Sequence, residues 1–516
     1  MCIRDSFIIT HIEQIKSEIS VFQILGEFKM VKKISCIIMG VVIGVAFAGC
    51  STTNTSTISS VVAYDNSDVN VEYDKEKATK IGFFENKINI DGSGIKKDEN
   101  VLTIKKAGTY IFSGNFENNE IVCDASEKEI KIVLDNAVFE KSDGVPLKIE
   151  NAEKVYIISS DGSYNKVIAE NSEYCVETSV PVTFAGKGKT EYKGGIESDK
   201  NIVFSSGITD IASANDGVNC EQSVTFLDGE TTIKCGKTGV YSDKIINIKN
   251  GTINIDCSEK DEESIAIRAN KTVSINNGVL NLNSYSNAVQ CDGDINISNG
   301  KFDIKTAKNG LSSLDLLNLS GGIFKIESTH ASLDAKRVSV SGGYYDFLSD
   351  AEGIYATAQN DAQINIDGGT INVKSQKSSV STTGSFNMSG GTLVLSTEKS
   401  NSPLTANEYS LNGGICFAVG SNLDVFKNAE QTSVLYDLKK TQKKNTRFSI
   451  VDGSENIVVS FVPRYDYDSV AIVSAAISKN KEYSVFLDGD AKEKFQSEIA
   501  VNGRLENAKK YGTIKV

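Results

Sequence analysis

From Val182 to Tyr409 apolar and polar positions alternate in short runs, and the runs recur at a nearly fixed interval. Ile364-Asn365-Ile366-Asp367-Gly368-Gly369-Thr370-Ile371-Asn372-Val373 is typical: two apolar-polar steps, two small turn residues, then alternation again. Copies begin at Val224, Ile246, Val273, Ile295, Leu317, Val338, Ile364, Phe386 and Tyr409, spaced by 22, 27, 22, 22, 21, 26, 22 and 23 residues, with weaker copies at Val182 and Ile202. Alternation with period two puts every second side chain on one face of a strand. Its recurrence every 22 residues with a turn glycine in each copy is the mark of a β-solenoid. The glycine column, Gly207 to Gly414, predicts a left-handed turn position in every rung rather than a phosphate loop, since no helix follows any copy.

Each repeat carries a third short strand, as in Val218-Asn219-Cys220, Val240-Tyr241-Ser242, Ile267-Arg268-Ala269, Val289-Gln290-Cys291 and Leu333-Asp334-Ala335. A large aliphatic and a small residue two positions apart both point inward and stack along the axis. Three strands in 22 residues leave no room for a crossover helix. The pattern predicts an all-β, right-handed parallel β-helix of a dozen or more rungs, ~60–70 Å long at ~4.8 Å per rung. After Glu430 the period is lost. Alternating runs at Arg447–Gly453, Ile457–Pro463, Ser469–Ser474 and Glu482–Leu487 predict a small C-terminal β cap, with Lys439–Arg447 as a basic surface turn. A solenoid rung cannot bury its own core, so its ends need caps.

Composition narrows the function. The 516 residues carry 54 basic and 67 acidic side chains, a net charge of −13, which offers no basic excess to release phosphate counterions and argues against nucleic acid. Only His11 and His330 are present, so clustered histidine zinc sites and a Ser-His-Asp triad near His11 are excluded, and metal chemistry must use oxygen ligands. Cys123, Cys175, Cys220, Cys235, Cys257, Cys291 and Cys416 show no paired spacing and read as buried small residues with free thiols. Cys220 and Cys291 fall in one column three rungs apart, ~14 Å, too far for a disulfide.

The N-terminal region reads as targeting sequence. Met30-Val31-Lys32-Lys33, an apolar run Ile34–Ala48 and Gly49-Cys50 resemble a bacterial lipoprotein signal, with Phe47 where Leu is usual. Lipidation of Cys50 would tether the chain to the outer face of a membrane through Ser51–Ser60; an ordinary cleaved signal or a transmembrane anchor are the alternatives. The domain plan is an upstream extension (1–29) from a mis-called start, a signal (30–49), a Ser/Thr-rich linker (50–75), the β-helix (76–430) and the β cap (431–516), in a monomer.

The outward residues of the third strand carry the candidate chemistry. Rung by rung they are Glu177 and Ser179; Glu197 and Asp199; Asn219 and Glu221; Tyr241 and Asp243; Arg268 and Asn270; Gln290 and Asp292, with Asp216 at the same edge. Like charges stacked at this spacing repel by ~1 kcal/mol in water and ~3.5 kcal/mol at an effective dielectric near 20. A Ca²⁺ ion, which takes about six to eight oxygens in irregular geometry, would offset that. The expected ligands are Glu197, Asp199, Asp216, Asn219, Glu221 and Asp243, with Tyr241, Arg268, Gln290 and Asp292 contacting a bound sugar. The alternative is a solvated acidic face in which Arg268 and Lys244 are counter-charges, Arg268 neutralising Asp243 and Asp292.

The Gly-Gly turns and the segment Asn215-Asp216-Gly217-Val218-Asn219-Cys220-Glu221, with weaker copies at Asn309-Gly310-Leu311 and Glu352-Gly353-Ile354-Tyr355-Ala356, resemble a known family over Ile81–Asp490. It comprises the calcium-binding, carbohydrate-binding parallel β-helix domains of clostridial and related bacterial lipoproteins, which bind cellulose and acidic pectic sugars and are pectate-lyase-like in fold. Lys237, Lys308 and His330 stand where that family often carries Asp, so fewer calcium sites are expected. The resemblance implies a non-catalytic polysaccharide-binding protein. A calcium-dependent polysaccharide lyase using Arg268 as base and a cell-surface spacer or adhesin remain as alternatives. With no Trp and no clear tyrosine row, polar or acidic glycans are favoured over crystalline cellulose.

Overall fold

The computed structural model describes residues 64–84, 87–126, 129–358, 361–491, 499–500 and 503–516. Cys50, the signal segment and the upstream extension lie outside them. What is described is a parallel β-solenoid with β-rich caps. Every predicted repeat start pairs with the next: Val224 with Ile246, Ile246 with Val273, Val273 with Ile295, and onward without a slip to Phe386 with Tyr409. The 27- and 26-residue spacings leave the register intact, Ile246 still pairing with Val273 and Val338 with Ile364. Gly207, Gly229, Gly251, Gly278, Gly300, Gly322, Gly343, Gly369, Gly391 and Gly414 all have positive φ, between 76° and 124°. A side chain there would also crowd the neighbouring rung, as at Gly229, where a Cβ would stand 2.7 Å from the Gly207 carbonyl oxygen.

Inside, like residues stack on like. Phe184, Phe204 and Phe226 lie face to face with ring centroids 5.0 and 4.9 Å apart, and Phe302, Phe324 and Tyr345 continue the motif at 4.1 and 4.9 Å. Parallel in-register pairing forces this, because equivalent positions recur at the interstrand distance. The seven described cysteines are buried free thiols, and Cys220 and Cys291 are separated by Ser242 and Ala269 in one column.

The C-terminal segment does more than close the end. A 3₁₀ turn, Leu423–Asn428, drives Leu423 and Phe426 into the solenoid core. Ile415–Val419 then pairs antiparallel with Tyr467–Ser474, which pairs with Ser433–Gln442. A second antiparallel sheet of Ile457–Phe461, Phe448–Val451, Glu482–Leu487 and Lys509–Lys515 packs over them. Its core takes in Val394, Phe417 and Val419 from the outside of the last rungs. The middle strands there are consequently buried on both faces, whereas Val279–Ser284 and Lys301–Thr306 alternate buried and exposed. Arg464 reaches back to Asp346 at 3.3 Å. The predicted basic turn is shorter than expected: Lys439–Gln442 completes a strand through a β-bulge after Asp437, leaving only residues 443–447 between strands.

The linker assignment also changes. Residues 64–75 were expected to be spacer, yet Asp68 is buried against the outer wall and pairs with Lys154 at 2.7 Å. Thr183 donates to its carboxylate and Ser205 to its backbone carbonyl. Tyr156 donates to Ser67 at 2.7 Å, and Val71 and Tyr73 pack on Val133, Tyr156 and Ile158. An ordered strap therefore precedes the first strand, and apolar outward side chains on those rungs are the reason it docks.

Candidate functional site

Outward residues of the third strand form one unbroken column. It reads Thr103, Val122, Lys148, Glu177, Glu197, Asn219, Tyr241, Arg268, Gln290, Ser312, Asp334, Tyr355, Ser381, Thr405, each paired with the next. Those fourteen positions count the rungs. A second column runs beside it, because the backbone ladder continues past each strand: the amides of Asp199, Glu221, Asp243, Asn270 and Asp292 donate to carbonyls of the preceding rung at 2.9–3.1 Å. The predicted face therefore exists, with both columns in the expected order.

Its acidic end is electrostatically unrelieved. Glu177, Glu197 and Asp199 are on adjacent rungs with Glu221 beyond them, and Glu173 stands in the preceding turn. Among the described residues none of these five forms an ion pair. Burial, and then the charges of Glu177, Asp199, Glu173 and Glu221, push the Glu197 carboxyl above the usual range. The donor set is oxygen only and suits a hard cation such as Ca²⁺. As they stand, the described side chains gather no group of three or more carboxylates, thiols or imidazoles around one point that could hold a metal.

Several expected ligands already have protein partners. Asp216 accepts the backbone N–H of Thr238 at 2.9 Å, a rung-to-rung link repeated by Asn287 to Asn309 and by Asn309 to Ala331, both at 3.1 Å. Asp243 closes a triangle: the Tyr241 hydroxyl donates to it at 2.5 Å, and the Asn270 amide donates to Asp243 at 3.1 Å and to Tyr241 at 3.0 Å. Asn219 donates to the Tyr174 hydroxyl at 3.2 Å.

Arg268 does not neutralise Asp243 or Asp292. Its guanidinium lies over the Tyr241 ring, 5.8 Å from the centroid, and its Nε is buried without a hydrogen-bond partner. The ladder neighbour across one rung is an aromatic face, and Asp243 is already taken by Tyr241 and Asn270. Lys244 bonds to Gln222 rather than to an acid. Gln290 accepts from Asn287 at 2.8 Å and Asp292 is exposed.

Residue-by-residue reading missed two features. Glu173 and Tyr174 belong to the acidic end, Glu173 just before the strand Tyr174–Thr178 and Tyr174 as its first residue. Asp334, further along the column, is held by Asn309 at 3.0 Å, while His330 meets the other end of the same Asn309 amide at 2.8 Å; burial raises the Asp334 carboxyl. Its place in Leu333-Asp334-Ala335 was the available signal.

The chain belongs to the family described as carbohydrate-binding domain-containing proteins, whose model matches residues 98–261, 224–310 and 305–460. A relative of the same description from Acetivibrio thermocellus is 29% identical over 145 residues, 25% of this chain and 51% of the relative, so the match spans about half that protein's length. A solved structure titled as the polysaccharide lyase-like protein from C. thermocellum, a gadolinium derivative, aligns with 57% of this chain and 99% of that one at 19% identity and a TM-score of 0.29.

Proposed function

We propose that the protein binds an acidic polysaccharide along the third-strand face without cleaving it, and that Cys50 carries the lipid that holds it at the outer cell surface. The observation behind this reading is the cluster Glu173, Glu177, Glu197, Asp199 and Glu221, none of which is ion-paired among the described residues. An anionic glycan would be repelled by these carboxylates unless a divalent cation bridged the two. Glu177, Glu197, Asp199 and Glu221 would hold Ca²⁺, because Asp216 and Asp243, expected as ligands, already bond within the protein. The ion supplies positive charge that both protein and uronate carboxylates can share. Tyr241 and Arg268 then offer an aromatic ring edge and a cation to the sugar, with Gln290 and Asp292 beyond them.

Calorimetry with calcium, then with polygalacturonate in calcium or EGTA, tests the reading. Binding is expected only with calcium and lost in Glu197→Gln/Glu221→Gln. No calcium uptake at millimolar concentration would leave a solvated face and favour the spacer. Accumulation of unsaturated uronate that disappears in Arg268→Ala would instead make the protein a lyase. For the anchor, Cys50→Ser should move the protein out of the membrane fraction and abolish incorporation of labelled fatty acid.

A further inference from the structure

The outward column that passes through the acidic cluster ends in a cleft. From Glu197 it runs nine rungs to Thr405, ~43 Å at ~4.8 Å per rung. Thr405 lies on the wall of a cleft of about 930 Å³, where the last rung meets the 3₁₀ turn and the strands Ser433–Gln442 and Tyr467–Ser474. Clefts of this size at the meeting of two structural units are where small ligands bind.

Its chemistry differs from that of the acidic end. Leu404, Tyr409, Leu435 and Tyr436 give it aliphatic and aromatic walls, and Asp424, Asp437 and Asp468 give it carboxylates. The lysine of the lining, Lys399, is ion-paired with Asp468. Asp424 pairs with Lys427 at 2.7 Å, outside the lining, and Asp437 accepts the Lys439 amide at 2.9 Å. An anion entering here would face three carboxylates and no uncommitted lysine of the lining. A neutral pyranose would lay its C–H face on the tyrosines and donate its hydroxyls to the carboxylates.

We propose that this cleft is a second binding site, for the neutral pyranose end of a glycan whose acidic stretch lies along the third-strand face. The second half of that statement rests on the function proposed above; the cleft's preference for a neutral sugar does not.

The experiment uses the full chain and three probes: cellotetraose, β-1,4-galactotetraose and tetragalacturonate. Wild-type protein should bind a neutral tetrasaccharide equally with calcium or EGTA. Ala406→Trp, which fills the cleft from its half-buried lining position, should weaken that binding by about tenfold or more, as should Tyr409→Ala. Calcium-dependent tetragalacturonate binding should be unchanged in both variants, which also reports that they fold. The proposal is overturned if neither neutral probe binds at concentrations on the order of 10 mM, or if Ala406→Trp binds them as wild type does. If tetragalacturonate fails to bind while a neutral probe binds and is lost in Ala406→Trp, the acidic-face reading falls and the cleft stands.

Discussion

The carboxylate of Asp216 accepts the backbone N–H of Thr238, 22 residues later and one rung up, at 2.9 Å. Sequence pattern made Asp216 a metal ligand; the structure makes it a staple between rungs. Asp216→Ala should leave the amide unpaired in a half-buried turn and cost ~1–3 kcal/mol in chemical denaturation. Asp216→Asn keeps the acceptor and should be close to neutral. It should also leave calcium uptake unchanged, whereas a ligand role would weaken uptake.

Glu197 is a group whose ionisation costs stability. Its folded pKa is raised by burial and by the acids around it, so the folded state keeps the proton to higher pH than the unfolded chain does. The cost is absent below the ordinary glutamate range, near about 4.3, and full above the raised folded value. Glu197→Gln should therefore raise the melting temperature at pH 7 in EGTA, and the gain should shrink as pH falls through that range. A gain independent of pH would exclude charge repulsion as its cause.

Asp68 fixes the strap. It is 1% exposed and its Lys154 partner 14%, so Asp68→Ala takes the nearest anion from a mostly buried ammonium, leaving it Asp65 at 3.4 Å and Ser67 at 3.1 Å, and removes the acceptor of Thr183. The loss should reach ~1–3 kcal/mol locally. Limited proteolysis should then cut between residues 64 and 76 while the solenoid stays resistant. Unchanged protection there would show that Val71 and Tyr73 suffice to hold the strap.

Val289 is fully buried between Ile267 and Leu311 in one inward column. Val289→Asp puts a charge into that stack and should cost several kcal/mol, ~4 or more, seen as insoluble or thermally labile protein. Gln290→Asp, one residue along and half-buried on the outer face, should fold normally. The contrast separates the inward register from a general intolerance of the strand.

The repeat was legible in the sequence because parallel in-register pairing copies one chemical pattern every 22 residues. The starts Val224 to Tyr409, the left-handed glycines and the inward column of Cys220, Ser242, Ala269 and Cys291 all follow from alternation and spacing, local properties that each rung repeats. Which side chains face outward was fixed the same way, so Glu197, Tyr241, Arg268 and Gln290 fall where period two puts them. What those side chains touch was not fixed, because each has several neighbours in the register and alternation does not say which of them it takes. Asp243 took Tyr241 and Asn270, Arg268 the Tyr241 ring and Asp216 the Thr238 amide, and the geometry of the folded rungs made that choice. The strap, the cap's packing on Val394 and Phe417, and the cleft beside Thr405 join segments far apart in sequence, and only the tertiary structure decided them.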